Sequence, residues 1–337
     1  MPKDKIKYLD FIRTVAIIAV IVIHVSTSPA YQFNQISSTR WWFTITVDSL
    51  SRFAVPAFLM ITGLLLLDPQ KNDNLPIFFK KRFTKVVIPL ILWTIIYSTK
   101  TSLENGRSLL SLLKNSVSRP AEYHLWYLYS LTGLYLVTPF IRMIIKNAPK
   151  KLIETYLVLW FIGSTLYPLS DKFLHLPIAI NNQYFTGLIG YLILGFYISR
   201  YKIPSFLVYL FSYFGLLTTI IGTYFLTRKN SGVLDEFFFD PVAPNIILYS
   251  FGIFLFLKNH YFNHRIIRVI SRYSLGVYLI HPLIIELLTS GTLGIRLYPS
   301  TFTEFIGIPL MSTLVLTISL FLVYIFKKLP VIKHLTP

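Results

Sequence analysis

Ten apolar stretches, separated by short polar connections, constrain this chain more than any other feature of its 337 residues. A helix needs about 20 mostly apolar residues to cross the hydrocarbon core of a bilayer. Such runs fall near 7–28, 45–67, 84–102, 124–145, 152–169, 183–199, 204–226, 242–258, 269–290 and 303–326. The fifth and sixth are diluted by Tyr, Thr, Ser, Gly and Asn. The longest connections are 29–44, 103–122 and 227–241, with no internal repeat and no low-complexity tract. The expected architecture is therefore all-α: a polytopic integral membrane bundle of about ten helices, with residues 1–337 forming a single transmembrane domain. Composition agrees. Hydrophobic residues make up 54% of the chain and charged residues 14%, where a soluble domain carries about 25% charged. An ordinary cytosolic enzyme and a disordered chain are both excluded. The absence of cysteine removes disulfides, thiolate metal sites and a cysteine nucleophile from consideration.

The charge is lopsided, with 32 Lys and Arg against 14 Asp and Glu. A nucleic-acid binder would carry that excess as a patch on a polar domain, so no nucleic-acid partner is expected. Loop asymmetry in Lys and Arg sets membrane orientation instead. With a cytoplasmic N-terminus, 22 of the 32 basic residues fall on the inner side with five acids, for a net +17. The outer side nets only +1. Both termini are thus expected to be cytoplasmic. The start of the chain loosely mimics a signal peptide, with Lys3 to Lys7, an apolar 14–23 and Ser28-Pro29-Ala30. Its cleavage would leave an odd number of spans with the later loops inverted against their charge.

Ionisable residues inside spans are costly, and they mark either function or internal pairing. The first span carries Asp10, Arg13 and His24. At 100° per residue the three share one face, with Arg13 and His24 about 16 Å apart along the axis. Asp10 can pair with Arg13, and His24 can be a packing residue or a catalytic one. The second span offers Asp48 and Arg52 at i,i+4, then Pro56, which should kink the helix. Arg52 there either stabilises an anion or neutralises Asp48. The basic run Lys80, Lys81, Arg82 and Lys85, interleaved with Phe78, Phe79 and Phe83, either binds phosphates or anchors the span by charge. Glu122 and His124 precede Trp126 and Tyr127 at the outer end of the fourth span, where an interfacial belt would also place aromatics. His281 lies past the midplane of the ninth, with Tyr278 one turn before it on about the same face. No HExxH, Gly-rich phosphate loop or G-x-S-x-G elbow occurs, and no short ligand spacing supports a metal.

Five of these segments, in this order, resemble the acyltransferase family 3 membrane proteins, bacterial transferases that acylate cell-surface polysaccharides. They are Tyr8-Leu9-Asp10-Phe11-Ile12-Arg13 with His24; Ser51-Arg52 with Val55-Pro56 through Gly63; Lys80–Lys85 with Pro89; His124-Leu125-Trp126 continuing to Thr138-Pro139; and Ser274-Leu275-Gly276-Val277-Tyr278 with His281. The chain is most similar to the short single-domain group that includes the O-acetyltransferase of enterobacterial common antigen, so no appended extracellular domain is expected. The resemblance implies transfer of an acyl group, usually acetyl from acetyl-CoA, to a hydroxyl of a lipid-linked or exported glycan. It implies His24 as general base toward that hydroxyl, with a transient acyl-histidine as a variant. Arg13 and Asp10 would line the donor channel or lock the first helix. Arg82 and Lys85, with Lys81 and Lys80, would hold CoA phosphates. Arg52, His124, Glu122, Tyr278 and His281 are candidates for orienting the acceptor or stabilising the oxyanion. Acyl-CoA is a donor substrate, with no bound cofactor or metal expected. The expected partners are the glycan, the lipid bilayer and a second copy of the chain. The competing reading is a glycan exporter or flippase without transferase chemistry, and a third is a structural partner of a glycan synthase.

Overall fold

The structure is a computed structural model, describing residues 3–70, 74–176, 186–292, 294, 296–330 and 332–336. Among these the regular structure is helical, with no strand. In chain order the helices are α1 (Lys3–Ala30), α2 (Ser38–Ser51), α3 (Ala54–Leu66), α4 (Leu75–Arg82), α5 (Ile88–Asn105), α6 (Leu109–Asn115) and α7 (Trp126–Asn147). They continue with α8 (Lys150–Leu169), α9 (Ile189–Arg200), α10 (Ser205–Lys229), α11 (Pro244–Asn259), α12 (Arg265–Ser290) and α13 (Glu304–Lys328). Among the described residues, nine helical segments are long and apolar enough to cross a membrane. The chain is a multi-pass membrane protein.

The expected sixth span, 183–199, is the one that differs. Residues 183–185 lie outside the described residues, and α9 has only 12 residues, which rise about 18 Å against a hydrocarbon core of about 30 Å. Helix α9 is short and buried among its neighbours. Tyr191, Leu192 and Ile198 are fully covered, and the helix packs along α3. A Cβ at Gly63 would lie 1.9 Å from the Leu192 carbonyl oxygen, and one at Gly195 would lie 2.0 Å from the Met60 carbonyl oxygen. Reciprocal glycines let the two backbones touch, as small residues do at membrane helix contacts.

Prolines shape the other spans. Pro56 has no N–H for the carbonyl of Arg52, four residues back. The helix accordingly breaks between α2 and α3 at Arg52 and Phe53, with the Arg52 amide bonding back to Ser49 at 3.3 Å. The kink expected at Pro56 thus becomes an interruption one turn earlier. Between α4 and α5, Phe83–Val87 forms a π-helical turn, so that Leu75–Asn105 runs as one apolar segment.

Helix α1 is the axis of the bundle, in contact with α2, α3, α11, α12 and α13. Its Ile12, Ala16, Ile17 and Ile21 are completely buried. The rim is the reverse. Val158, Leu159, Ile162 and Leu166 of α8 and Phe206, Tyr209 and Tyr213 of α10 are exposed, and a hydrocarbon surround satisfies such surfaces where water does not. Buried polar groups join the inner helices. The Arg40 guanidinium of α2 is ion-paired with Glu304 of α13, whose carboxylate is wholly covered. Asp10 accepts from the Ser271 hydroxyl at 2.7 Å, tying α1 to α12.

Candidate functional site

Two cavities open inside the bundle, and the stripe on α1 feeds both. The larger, of about 370 Å³, is lined by His24, Arg52, His124, Tyr127 and Tyr278 together with Trp126, Glu236, Phe239 and Asp240. The smaller, of about 250 Å³, is lined by Arg13, Arg82, Lys85, Tyr127, Tyr135 and Tyr278. Tyr127 and Tyr278 border both, with ring centroids 5.7 Å apart. The two spaces are therefore consecutive compartments divided by a pair of tyrosines.

In the histidine compartment, side chains from four helices converge. The His24 ring stacks on His281 at 5.1 Å and meets Tyr123 at 4.9 Å. His281 meets His124 at 5.4 Å. The origin of the His281 geometry is local. Pro282 has no N–H to give the Tyr278 carbonyl, and His281 Nδ1 fills that place at 2.7 Å. A carbonyl only accepts, so Nδ1 carries the proton and Nε2 is the bare acceptor. Nε2 is buried and makes no hydrogen bond among the described residues. His124 is 2% exposed, and neither of its ring nitrogens makes one either. The Tyr278 hydroxyl donates to the His124 carbonyl, so Tyr278 is held at its backbone and at its tip. Satisfied packing histidines would have partners; His24 and His124 line the cavity, and His281 stacks on His24 without lining it.

Arg52 belongs to the same compartment. Its Nε is ion-paired with Asp48, which is fully buried and also accepts from Ser26 at 3.0 Å. Its guanidinium lies 3.9 Å above the Phe239 ring. Asp48 thus balances the charge of Arg52, which also lines the cavity.

In the second compartment, Arg13 lies 3.6 Å from Asp10, whose carboxylate is held by Ser271. Asp10 does not line either cavity; it orients Arg13 and fastens α1. Arg82 sits 5.3 Å from Phe78 and 5.5 Å from Tyr135, and Arg142 meets Phe78 at 5.4 Å. Of the interleaved aromatics, Phe78 lies against both guanidinium groups, whereas Phe83 is exposed. The buried Arg82 Nε makes no hydrogen bond among the described residues. Lys80 and Lys81 are exposed on the outside of α4 and do not line the cavity. The expected phosphate set therefore splits, with Arg82 and Lys85 inside and the other two lysines outside.

Glu122 stands apart. Its carboxylate caps the Tyr123 amide at 3.3 Å, and its charged neighbours are Lys100, Glu286 and Glu104. Burial raises its pKa, with the Tyr123 amide and Lys100 pulling the other way. It does not line the histidine cavity. Tyr123, Glu236, Phe239 and Asp240 are additional residues that the sequence reading did not single out. Among the described residues no group of three or more His, Cys, Asp or Glu is placed to hold a metal ion.

With this geometry in place, comparison with known proteins is informative. A family model described as an acyltransferase domain matches residues 6–326. The chain belongs to the acyltransferase 3 family. Membership gives the coarse activity, acyl transfer, to a protein whose inner polar residues lie on the matched segment. Among its relatives, a chain of Staphylococcus aureus strain MRSA252 is described as a probable poly-β-1,6-N-acetyl-D-glucosamine export protein. It is 23% identical over 339 residues, covering 95% of this chain and 94% of the relative. The equivalents from strains MSSA476 and MW2 have the same description, identity and coverage. No solved structure matches the chain.

Proposed function

We propose that the protein is an integral membrane O-acyltransferase that moves an acyl group, acetyl from acetyl-CoA, to a hydroxyl of a cell-surface or lipid-linked glycan. One observation carries the reading: a cationic compartment and a histidine compartment are neighbours that share Tyr127 and Tyr278 in their linings. The donor thioester would enter from the side of Arg82 and Lys85, which bind CoA phosphates. By the charge bias of the loops that side is cytoplasmic, as are both termini. The acceptor hydroxyl would lie beside His24.

Neutral imidazole is suited to take that proton near pH 7. In the step itself the hydroxyl oxygen bonds to the thioester carbonyl carbon while His24 accepts the hydroxyl proton. The tetrahedral oxyanion collapses, the C–S bond breaks, and the thiolate of CoA leaves and takes the proton back. Arg52 and an N–H of His124 are the groups available to stabilise the oxyanion. His281 positions the His24 ring, and Tyr278 positions His124.

The description of the staphylococcal relatives favours a second reading, export of a β-1,6-linked N-acetylglucosamine polymer without acyl transfer. The two separate cleanly in cells and in reconstituted protein. Wild-type protein in vesicles should transfer labelled acetyl from acetyl-CoA to extracted glycan, and His24→Ala should lose about 10²–10⁴-fold of that rate while remaining folded. Arg82→Ala with Lys85→Ala should raise KM for acetyl-CoA. Mass spectrometry of surface glycan should show acetyl lost in the His24→Ala strain with the polymer still outside. Retained acetylation would remove His24 from the chemistry, and polymer trapped inside the cell would favour export.

A further inference from the structure

The histidine cavity carries a charge pattern that selects its occupant. Among the described residues lining it, Arg52 is the one cation, and Asp48 balances it from below. Glu236 and Asp240 remain uncompensated at the mouth, both exposed. Two carboxylates in one lining, with no ion-pair partner among the described residues, give this cavity a negative balance. Their geometry is organised. Glu236 accepts from the Tyr31 hydroxyl at 3.0 Å, and Asp240 accepts from the Val242 amide at 2.8 Å. Beside them Trp126 presents a partly exposed indole. At the base lies His124, almost fully buried, with both ring nitrogens unpartnered. A pocket with apolar and aromatic walls and a few fixed polar groups fits a small polar ligand. An aromatic face covers the C–H side of a sugar ring, and carboxylates accept from its hydroxyls or ammonium group.

We infer that this cavity binds a neutral or amino sugar residue through Glu236, Asp240 and Trp126, and turns away anionic sugars. The inference rests on the cavity's role as acceptor site in the reading above, and it adds the charge class. An anionic ring would bring a third carboxylate to Glu236 and Asp240, a like-charge contact of the kind that makes specificity by repulsion. Arg52 offsets this only locally, because Asp48 already balances its charge through Nε.

The test uses full-length protein in nanodiscs of neutral phosphatidylcholine, with binding read by quenching of tryptophan fluorescence. Three disaccharide probes are compared: diglucosamine, di-N-acetylglucosamine and glucuronyl-N-acetylglucosamine. Each exposed charge contact contributes little alone, so the cationic probe should bind about tenfold more tightly than the anionic one. The double variant Glu236→Gln, Asp240→Asn keeps carbonyl acceptors but no charge, and should bring the two within about twofold while the neutral probe changes less than about threefold. Trp126→Ala should weaken all three alike. Equal affinities in the wild type, a preference that survives the double variant, or no saturable binding up to about 10 mM would each overturn the inference. Failure here is distinct from failure of the transferase reading. Charge preference without acetyl transfer leaves the inference standing alone, and transfer without charge preference removes only the inference.

Discussion

Pro282 does for the site what no polar residue could do alone. By lacking an N–H it frees the Tyr278 carbonyl, and that carbonyl then fixes the tautomer of His281 and turns Nε2 away from it. Pro282→Ala would restore a backbone donor to compete for the carbonyl. Helical propensity improves with that change, while the hold on His281 weakens by about one hydrogen bond. The expected outcome is a melting temperature in detergent at or above that of the wild type, with acyl transfer reduced on the order of tenfold. Full activity would show that the His281 tautomer is irrelevant. This contact was legible in advance, since a proline at 282 points four residues back to Tyr278. What the sequence could not supply is the pairing of His281 with His24, because it depends on how α12 lies against α1. The shared face of Arg13 and His24, by contrast, follows from helical period alone, and the two residues do line successive compartments.

At the scale of elements, the contact of α9 with α3 decides whether α3 can hold its place beside the cavities. Phe58, Ile61, Thr62 and Leu65 of α3 line the smaller cavity, while Gly63 on the same helix presses on Leu192 of α9. The neighbour at each glycine is backbone, which cannot swing aside as a side chain would. Gly195→Ala should therefore cost at the upper end of the usual overpacking range, about 3 kcal/mol. The measurement is thermal unfolding in detergent, with Gly133→Ala as the control, since a Cβ there meets nothing within 4 Å. Equal stability of the two variants would mean that the helices separate at little cost. The apolar runs at 204–226, 269–290 and 303–326 foretold α10, α12 and α13 because hydropathy and length determine a span. The role of α9 was not legible, since Tyr, Gly and Asn dilute 183–199 in the same way whether a helix crosses lipid or stays buried in protein. The segment with Glu236, Phe239 and Asp240 was hidden for a related reason. Its residues stand in one of the longest connections, and the fold, with α10 packed against α11, places them in the lining with His24.

The whole molecule poses a question of parity that its charge can answer. The loops expected on one side net +17 and those on the other +1, and this pattern requires an even number of crossings. Nine long segments do not satisfy it, and the short apolar α9, of 12 residues, is the element left to supply a tenth crossing. We expect that it does, because a re-entrant α9 would put every loop after residue 200 on the side its lysines and arginines disfavour, and translocating such clusters is costly. The chain suits a direct measurement, since it has no cysteine of its own. Single cysteines at exposed positions Lys80, Arg107, Lys202, Lys229 and His264 would be treated in intact cells with a membrane-impermeant maleimide. Arg107→Cys and Lys229→Cys should react, and Lys80→Cys, Lys202→Cys and His264→Cys should react only after permeabilisation. The inverse result at 202, 229 and 264, with 80 and 107 unchanged, would make α9 re-entrant. It would place the C-terminal half the other way up, and His24 of α1 and His281 of α12 could then not share the compartment in which they stack at 5.1 Å. The orientation of the loops and the histidine pair therefore stand or fall on the same labelling experiment.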